Sequence, residues 1–319
     1  MPIPLGPAVA WLRQFRNETP FSPFLIWFGG STLFGVMVSI PIFYGDLAAT
    51  ALGVNLAQES AWLQWWNDVS ARSMFNGQSP GAQDLTYAAA ILLVVAHLAS
   101  LRPGLSRSWA QIRLWTGYYL SCLLLFLVFN RGMKALIGRV RPLDVLRGDQ
   151  DYSPLWLFGT YSLSEAASKG SFPSGHTTTA MFLLPLTFLL LHSSRRFLAW
   201  PVFALALSWG ALVGAGRVFR GSHYPGDVLW AMIVCLWISA YAAYHLFGLD
   251  RREQSPSLPN CWELRLTAWS AMAMFALFAA VIGIKQMIFE PAWYWPLVTV
   301  ISALLAWKST NKTDCLTRF

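Results

Sequence analysis

The chain has 319 residues, of which 55% are hydrophobic and 12% are charged, whereas soluble proteins have about 25% charged residues. The mean hydropathy of +0.46 shows the same bias. These figures exclude a disordered chain, a coiled coil and a nucleic-acid-binding domain. The net charge of +8 does not imply a nucleic-acid partner, because excess Lys and Arg in an apolar chain usually lie in cytoplasmic loops.

Long apolar runs separated by short polar stretches predict eight membrane helices, since about 20 apolar residues span the bilayer core. The first run follows Arg13 and Arg16 but is too long for the core of a signal peptide, so we interpret it as a retained anchor. The predicted fold class is therefore an all-α, polytopic membrane bundle. The predicted helices cover 22–44, 86–101, 114–137, 175–193, 198–219, 224–248, 265–284 and 291–308.

Eight spans return the chain to the side on which it starts. A cytoplasmic N-terminus places 13 of the 23 Lys and Arg residues on the inner side, which favours cytoplasmic termini. In the first outer loop, Trp62, Trp65 and Trp66 recur with helical spacing and predict an interfacial helix near 57–76. Three tryptophans of an ordinary aromatic belt are the alternative.

The first polar segment of interest lies at the outer end of the third predicted helix. Lys134 and Arg141 are seven residues apart, which is about two helical turns, so both cations would project from one face. Pro142 would end the helix or fix the following turn. Taken alone, the pair also fits two cations that reach toward lipid headgroups.

The second segment opens the fourth predicted helix with Pro173-Ser174-Gly175-His176. Ser174 is a suitable N-cap, and the exposed N–H groups of a first helical turn attract anions. His176 adds a titratable group at the same place. A purely structural histidine is the alternative for this segment alone.

The third segment joins the fifth and sixth predicted helices. Arg217 ends one helix, and His223 and Asp227 lie four residues apart at the start of the next, so they share a face. A carboxylate beside one imidazole nitrogen raises the basicity of the other, as a nucleophilic histidine requires. The alternative is that both residues only favour the start of the helix.

All three segments fall on the outer side of the predicted topology, at the ends of the third to sixth helices. It costs free energy to place three cations, two histidines and a carboxylate at a membrane boundary. Such a set therefore indicates a functional site. A phosphate group fits this set, because it needs cationic donors, a nucleophile and a proton donor. The remaining acidic residues, histidines and scattered cysteines offer no metal site, so no metal or other cofactor is expected.

The chain resembles the type 2 phosphatidic acid phosphatase (PAP2) superfamily of integral membrane lipid phosphatases. That family has the motifs Lys-x6-Arg-Pro, Pro-Ser-Gly-His and Ser-Arg-x5-His-x3-Asp, which match here at Lys134 to Pro142, at Pro173 to His176 and at Arg217 to Asp227. One position departs from the pattern, because Gly216 stands where the family usually has Ser. We expect weakened local hydrogen bonding there, without loss of activity.

The resemblance implies a division of the chain and a set of roles. It implies a cytoplasmic segment over 1–21, a six-helix catalytic core over 22–248, and two additional transmembrane helices with a cytoplasmic tail over 249–319. His223 is expected to be the nucleophile, Asp227 its orienting carboxylate and His176 the general acid and base. The residues expected to bind the phosphate are Lys134, Arg141, Ser174, Gly175 and Arg217.

The implied activity is a metal-independent lipid phosphatase of a bacterial inner membrane, with its site on the periplasmic side. The candidate substrates are phosphatidate, phosphatidylglycerophosphate, a polyprenyl diphosphate and a lipid A phosphate. A phosphotransferase that passes the phosphoryl group to another lipid would use the same residues. A non-catalytic lipid-binding or transport protein is the third reading, and it predicts no phosphate release. The expected partners are the lipid substrate and the bilayer, with no nucleic acid.

Overall fold

The computed structural model describes residues 23–102, 107–155, 157–159, 161–252 and 262–317. Its regular structure is helical, and no strand occurs in those ranges. This confirms the predicted all-α fold class. The α-helices in chain order are α1 (Pro23–Glu59), α2 (Ala61–Val69), α3 (Gln83–Ser100), α4 (Arg107–Ile137), α5 (Pro142–Leu146), α6 (Leu163–Lys169), α7 (Gly175–Ala180), α8 (Leu184–Leu191), α9 (Ala199–Phe219), α10 (Pro225–Tyr241), α11 (Leu249–Arg252), α12 (Trp262–Phe289) and α13 (Trp295–Thr317).

Six helical stretches of the described ranges are long and apolar enough to cross a membrane, and each overlaps a predicted span. The first helix runs fifteen residues beyond its predicted end, to Glu59 rather than 44. The two remaining predicted spans, 175–193 and 291–308, are helical but are not among the six. The last helix, α13, carries Lys308, Lys312 and Asp314 in its second half, which lowers its mean hydropathy.

The predicted fourth span is interrupted. Its residues form α7, a 3₁₀ turn at Met181–Leu183 and then α8, in which Pro185 occupies the first turn. Proline has no N–H to donate to the preceding turn, which accounts for the break. From Gly175 to Leu191 the rise is about 26 Å, a little less than the hydrocarbon core of a bilayer.

Helix α10 lies at the centre of the bundle and is the most buried of the six candidate spans. It packs on α1, α9 and α4, and the largest apolar cluster of the described residues includes Tyr118, Phe188 and Cys235. Gly214 allows α9 to approach closely, because a Cβ there would be 2.3 Å from Cγ1 of Val228 on α10. These contacts bring together the helices that carry the first and third motifs.

The two C-terminal helices form a hairpin that packs against α4. Lys285 of α12 donates a hydrogen bond from Nζ to the carbonyl oxygen of Leu136 at 2.8 Å, and its Nζ lies 4.8 Å from the centre of the Phe158 ring. The hairpin therefore contacts the end of the helix that carries Lys134.

A separate helix, α2, follows the break at Ser60, whose Oγ accepts a hydrogen bond from the N–H of Leu63. Trp66 is buried and donates from Nε1 to the carbonyl oxygen of Leu212 at 2.9 Å. Trp62 and Trp65 are more than half exposed on the other face. The helix is amphipathic as expected, and its place at a membrane surface stays a prediction.

Candidate active site

A cavity of about 600 Å³ lies among the ends of α3, α4, α7 and α9. The structure therefore brings the three predicted motifs to one place. Six of the eight predicted site residues line the cavity, namely Lys134, Arg141, Gly175, His176, Arg217 and His223. The other two, Ser174 and Asp227, lie outside its lining and are fully buried.

Backbone hydrogen bonds between the motif segments hold them as one unit. Because each segment is bonded to the other two, displacement of any one of them would disturb the whole site. The bonds run from Ser171 N to Arg139 O (2.9 Å), from Ser174 N to Asp227 O (3.1 Å) and from Leu143 N to Gly221 O (2.9 Å).

The orientation of His223 is set by a backbone carbonyl. Its Nδ1 lies 2.7 Å from the carbonyl oxygen of Ser171, which can only accept, so Nδ1 carries the hydrogen and Nε2 is free. Asp227 was predicted to make this contact, but its Oδ2 is 3.6 Å from Nδ1. Sequence reasoning did not find the role of Ser171, because a backbone carbonyl has no signature in the sequence.

The surroundings of His223 favour its neutral form. Burial lowers its pKa to about 4; Asp227 partly opposes this, and the positive charges of Lys134 and Arg217 add to it. At neutral pH the imidazole is therefore uncharged, with an available lone pair on Nε2. This is the state in which a histidine acts as a nucleophile.

The guanidinium of Arg217 is only partly used by contacts within the described residues. The residue is 7% exposed, and one terminal nitrogen donates to Oγ of Ser222 at 3.0 Å. Its Nε and its other terminal nitrogen are buried and have no hydrogen-bond partner among the described residues. Leaving such donors unpaired is costly, and a guanidinium fork matches the oxygens of a phosphate.

The other two cations of the motifs are tethered through the loop that precedes α7. Nζ of Lys134 donates to the carbonyl oxygen of Gly170, and Nε of Arg141 donates to that of Lys169 at 2.6 Å. Lys134 is 8% exposed and retains two further N–H donors beside the cavity.

Ser174 acts as the predicted N-cap of α7. Its Oγ accepts from Oγ1 of Thr177 at 2.9 Å and from the N–H of Thr177 at 3.4 Å. The hydroxyl is thus occupied inside the protein and does not line the cavity, so its expected contact with phosphate stays a prediction. Gly175 does line the cavity.

The departure at Gly216 has a steric reason. A Cβ at this position would be 2.4 Å from Oγ of Ser70 and 3.1 Å from Nε1 of Trp66. The segment after α2 therefore occupies the space that a larger residue would need. The same segment reaches the site, because the backbone of Ala71 hydrogen-bonds to His176.

One end of the cavity is polar and the other is apolar. Away from the histidines its walls are formed by α3 and α4, including Ala90, Leu124 and Leu127. Leu124 is 39% and Leu127 52% exposed, so the apolar end reaches the outer surface between two candidate spans. An amphiphilic molecule with an anionic head fits this polarity.

Sequence reasoning missed several polar residues of the cavity, among them Arg131 and Gln83. Arg131 lies one helical turn before Lys134 and makes no hydrogen bond or ion pair with the rest of the described chain. Gln83 is buried at the start of α3, where its side-chain oxygen accepts from Oγ1 of Thr179. The i,i+3 spacing could have indicated Arg131, whereas nothing in the sequence indicates Gln83.

The described ranges contain no group of three or more His, Cys, Asp or Glu residues that could hold a metal ion. The cationic side chains that line the cavity are Arg131, Lys134, Arg141 and Arg217.

Comparison with known proteins agrees with this site. Residues 115–252 match the PAP2 superfamily and contain all three motifs, in agreement with the resemblance. The relatives whose sequences match carry the names of lipid phosphatases. No solved structure matches the chain.

Three of these relatives differ in the lipid that their names give. An undecaprenyl-diphosphatase of Bacillus subtilis is 36% identical over 78 residues, 24% of this chain and 36% of the relative. A lipid A 1-phosphatase of Rhizobium etli is 31% identical over 145 residues, 45% of this chain and 56% of the relative. A phosphatidylglycerophosphatase B of Haemophilus influenzae is 36% identical over 138 residues, 34% of this chain and 56% of the relative. The chain thus spans between about a third and just over half of their lengths.

Proposed function

We propose that this protein is a membrane lipid phosphatase that hydrolyses a phosphomonoester or diphosphate on a lipid headgroup through a phosphohistidine. The observation that carries the proposal is Arg217, a buried guanidinium with unpaired donors in a cavity that also holds two histidines. The apolar end of the cavity, between α3 and α4, supports a lipid rather than a water-soluble substrate.

In the first half-reaction, Nε2 of His223 attacks the phosphorus atom and the bond from phosphorus to the lipid oxygen breaks. His176 donates a proton to the leaving oxygen. The phosphate oxygens are held by the cations that line the cavity, which act as preorganised donors to the charge that develops during transfer. A bound phosphate dianion also offsets the charges of Lys134 and Arg217 and so favours a proton on His176.

In the second half-reaction, water attacks phosphorus and the phosphorus–nitrogen bond breaks. His176 takes a proton from that water, and inorganic phosphate leaves. His223 returns to its neutral form, with Nδ1–H donated to the carbonyl of Ser171. Between the two steps the phosphorylated ring is positive, and the nearby carboxylate of Asp227 stabilises it.

The proposal extends to the organisation and place of the chain. Residues 22–248 form the catalytic core, and the helices over 249–319 add to it. The protein lies in a bacterial inner membrane with cytoplasmic termini, and its site faces the periplasm. We propose that the loop over 143–172, from which Ser168 lines the cavity, covers a bound headgroup.

Phosphate release by the purified protein in detergent with EDTA tests this function. The substrates are phosphatidate, phosphatidylglycerophosphate, a polyprenyl diphosphate and a lipid A phosphate. We expect release from at least one lipid, its loss in His223→Ala, and little change in the matched control His192→Ala. His192 lies at the far end of α8, where its Nδ1 pairs with the carbonyl of Phe188.

Trapping of the phosphohistidine tests the proposed mechanism separately from the phosphatase activity. With a lipid diphosphate, whose leaving phosphate group needs no proton from His176, His176→Ala is expected to accumulate an acid-labile phosphoenzyme that His223→Ala does not form. Folded protein that releases no phosphate from any of the lipids would defeat the proposal and favour phosphotransfer or binding.

A further inference from the structure

Arg139 lies in the loop after α4 and is fully buried, although it does not line the cavity. Its guanidinium binds two carboxylates. One terminal nitrogen is 2.7 Å from Oδ2 of Asp46, and the other is 2.7 Å from Oδ1 of Asp227. Nε donates to the carbonyl of Ser153 at 2.9 Å, and the guanidinium carbon lies 3.9 Å from the centre of the Tyr224 ring.

Asp46 reaches this group from α1, outside the segment that matches the PAP2 superfamily. It is 1% exposed, and its Oδ1 accepts from the N–H of Gly226 at 3.0 Å. Burial raises the pKa of Asp46 to about 6, although Arg139 opposes this rise.

A buried ion pair is a poor source of stability, because the cost of removing two charges from water is similar to their attraction. The buried charges of Arg139, Asp46 and Asp227 have nearly all their hydrogen bonds satisfied. A role in the candidate active site therefore explains them better than a contribution to stability. The connection to the site is Asp227. With Oδ1 on Arg139, its Oδ2 accepts from the N–H of Tyr224 at 3.0 Å and lies 3.6 Å from Nδ1 of His223.

We propose that Arg139 and Asp46 are positioning residues of the phosphatase, which fix the carboxylate of Asp227 beside His223 and set the charge it presents. Two carboxylates share one guanidinium, so the group carries a net charge of −1. That charge stabilises the positive ring of the phosphohistidine. This inference rests on the proposed function and adds a contribution from α1, outside the three motifs.

Without the charge of Asp46, Arg139 pairs with Asp227 alone and neutralises it. The other charged or titratable groups that face His223 are Lys134, Arg217 and His176, none of which is negative. Loss of the negative charge therefore makes His223 harder to protonate and its phosphorylated form less stable.

The test is Asp46→Asn, which keeps the shape of the side chain and removes its charge. We expect kcat to fall at least about tenfold, because small displacements of catalytic groups are costly, while KM stays within about threefold. In the wild type kcat should fall about tenfold as Asp46 takes up a proton near pH 6; Asp46→Asn should lack this step in the pH profile, and Asp46→Glu should restore it.

Glu263→Gln is the matched control. Glu263 is also a buried carboxylate paired with an arginine, Arg113, at 2.8 Å. That pair lies about 30 Å from Lys134 along α4, so its loss should lower stability without moving the pH profile. A role of Asp46 in stability alone predicts that both variants behave in the same way.

A second variant keeps the inference testable if Asp46→Asn does not fold. Gly226→Ala retains every charge, but its Cβ would be 3.0 Å from Oδ2 of Asp46, the atom that accepts from Arg139. It should lower kcat, by less than Asp46→Asn, with KM again nearly constant.

The outcomes separate this inference from the proposed function. Wild-type protein without histidine-dependent phosphate release overturns the proposed function itself. An active wild type whose kcat and pH profile are unchanged in Asp46→Asn overturns the positioning role. When Asp46→Asn cannot be purified, unchanged kcat in Gly226→Ala overturns it.

Discussion

Replacement of Arg217 by Met should make the protein more stable and less active. Within the described residues the buried guanidinium has two nitrogens without a hydrogen-bond partner, and its side-chain hydrogen bond goes to Ser222. Each unpaired buried donor costs about 1–3 kcal/mol, and Met fills similar space without a charge. We expect the free energy of unfolding in the absence of phosphate to rise by about 1–3 kcal/mol.

The same change should remove most of the activity. A donor that stabilises transition-state charge contributes about 10²–10³-fold to kcat, so Arg217→Met should lose at least about a hundredfold. Phosphate at about 100 times its dissociation constant should stabilise the wild type by about 2.7 kcal/mol and the variant far less. Denaturation in detergent with and without phosphate measures both effects.

Arg220→Met is the control for this prediction. Arg220 is half exposed, and its contact with Asp68 is a surface pair at 3.7 Å, which is worth little. The free energy of unfolding of Arg220→Met should differ from that of the wild type by no more than about 0.5 kcal/mol. If Arg217→Met is less stable than the wild type in the absence of phosphate, the guanidinium is not an anion-binding group and this prediction is wrong.

Three further predictions concern pH, packing and headgroup preference. Because burial lowers the pKa of His223 to about 4, the limb at which the remaining kcat/KM is lost should lie near pH 4, below the smaller step that Asp46 gives near pH 6; complete loss at pH 6.5 contradicts this. The unfolded histidine takes a proton below about pH 6.5, so stability should also decline from there toward pH 4. Gly216→Ser should destabilise the protein by about 1–3 kcal/mol through its contact with Ser70, and Ser70→Gly should relieve the loss in a double-mutant cycle. Arg131→Gln should raise KM about tenfold for a lipid diphosphate and leave KM for phosphatidate nearly unchanged. Arg131 faces the side of the cavity from which the lipid chain would extend, where the second phosphate of a diphosphate would lie. Equal effects on both lipids refute this.

The positions of the motif residues could be predicted because membrane topology restricts where they can meet. Lys134, His176 and Arg217 stand at the ends of apolar runs, and consecutive spans place such ends on the same side of a bundle. Hydropathy also predicted the helical fold class. It could not predict the break before Pro185, where loss of one backbone hydrogen bond divides a continuous apolar run.

The remaining parts of the site depend on tertiary contacts. The carbonyl of Ser171 orients His223, and any residue at that position would supply the same oxygen. Asp46 and Arg139 are 93 residues apart, and neither has a neighbour in sequence that indicates the other. The reason for Gly216 lies in the segment after α2, which is likewise distant in sequence.

For the proposed phosphatase reaction, the polarity of the cavity has a consequence for the two products. Inorganic phosphate is soluble only in water, whereas the dephosphorylated lipid is soluble only in the bilayer. The charged end and the apolar gap between α3 and α4 therefore give each product its own exit. Rising phosphate in the aqueous compartment would then compete for the cations and slow the enzyme, while the lipid product would be diluted among its neighbours in the membrane.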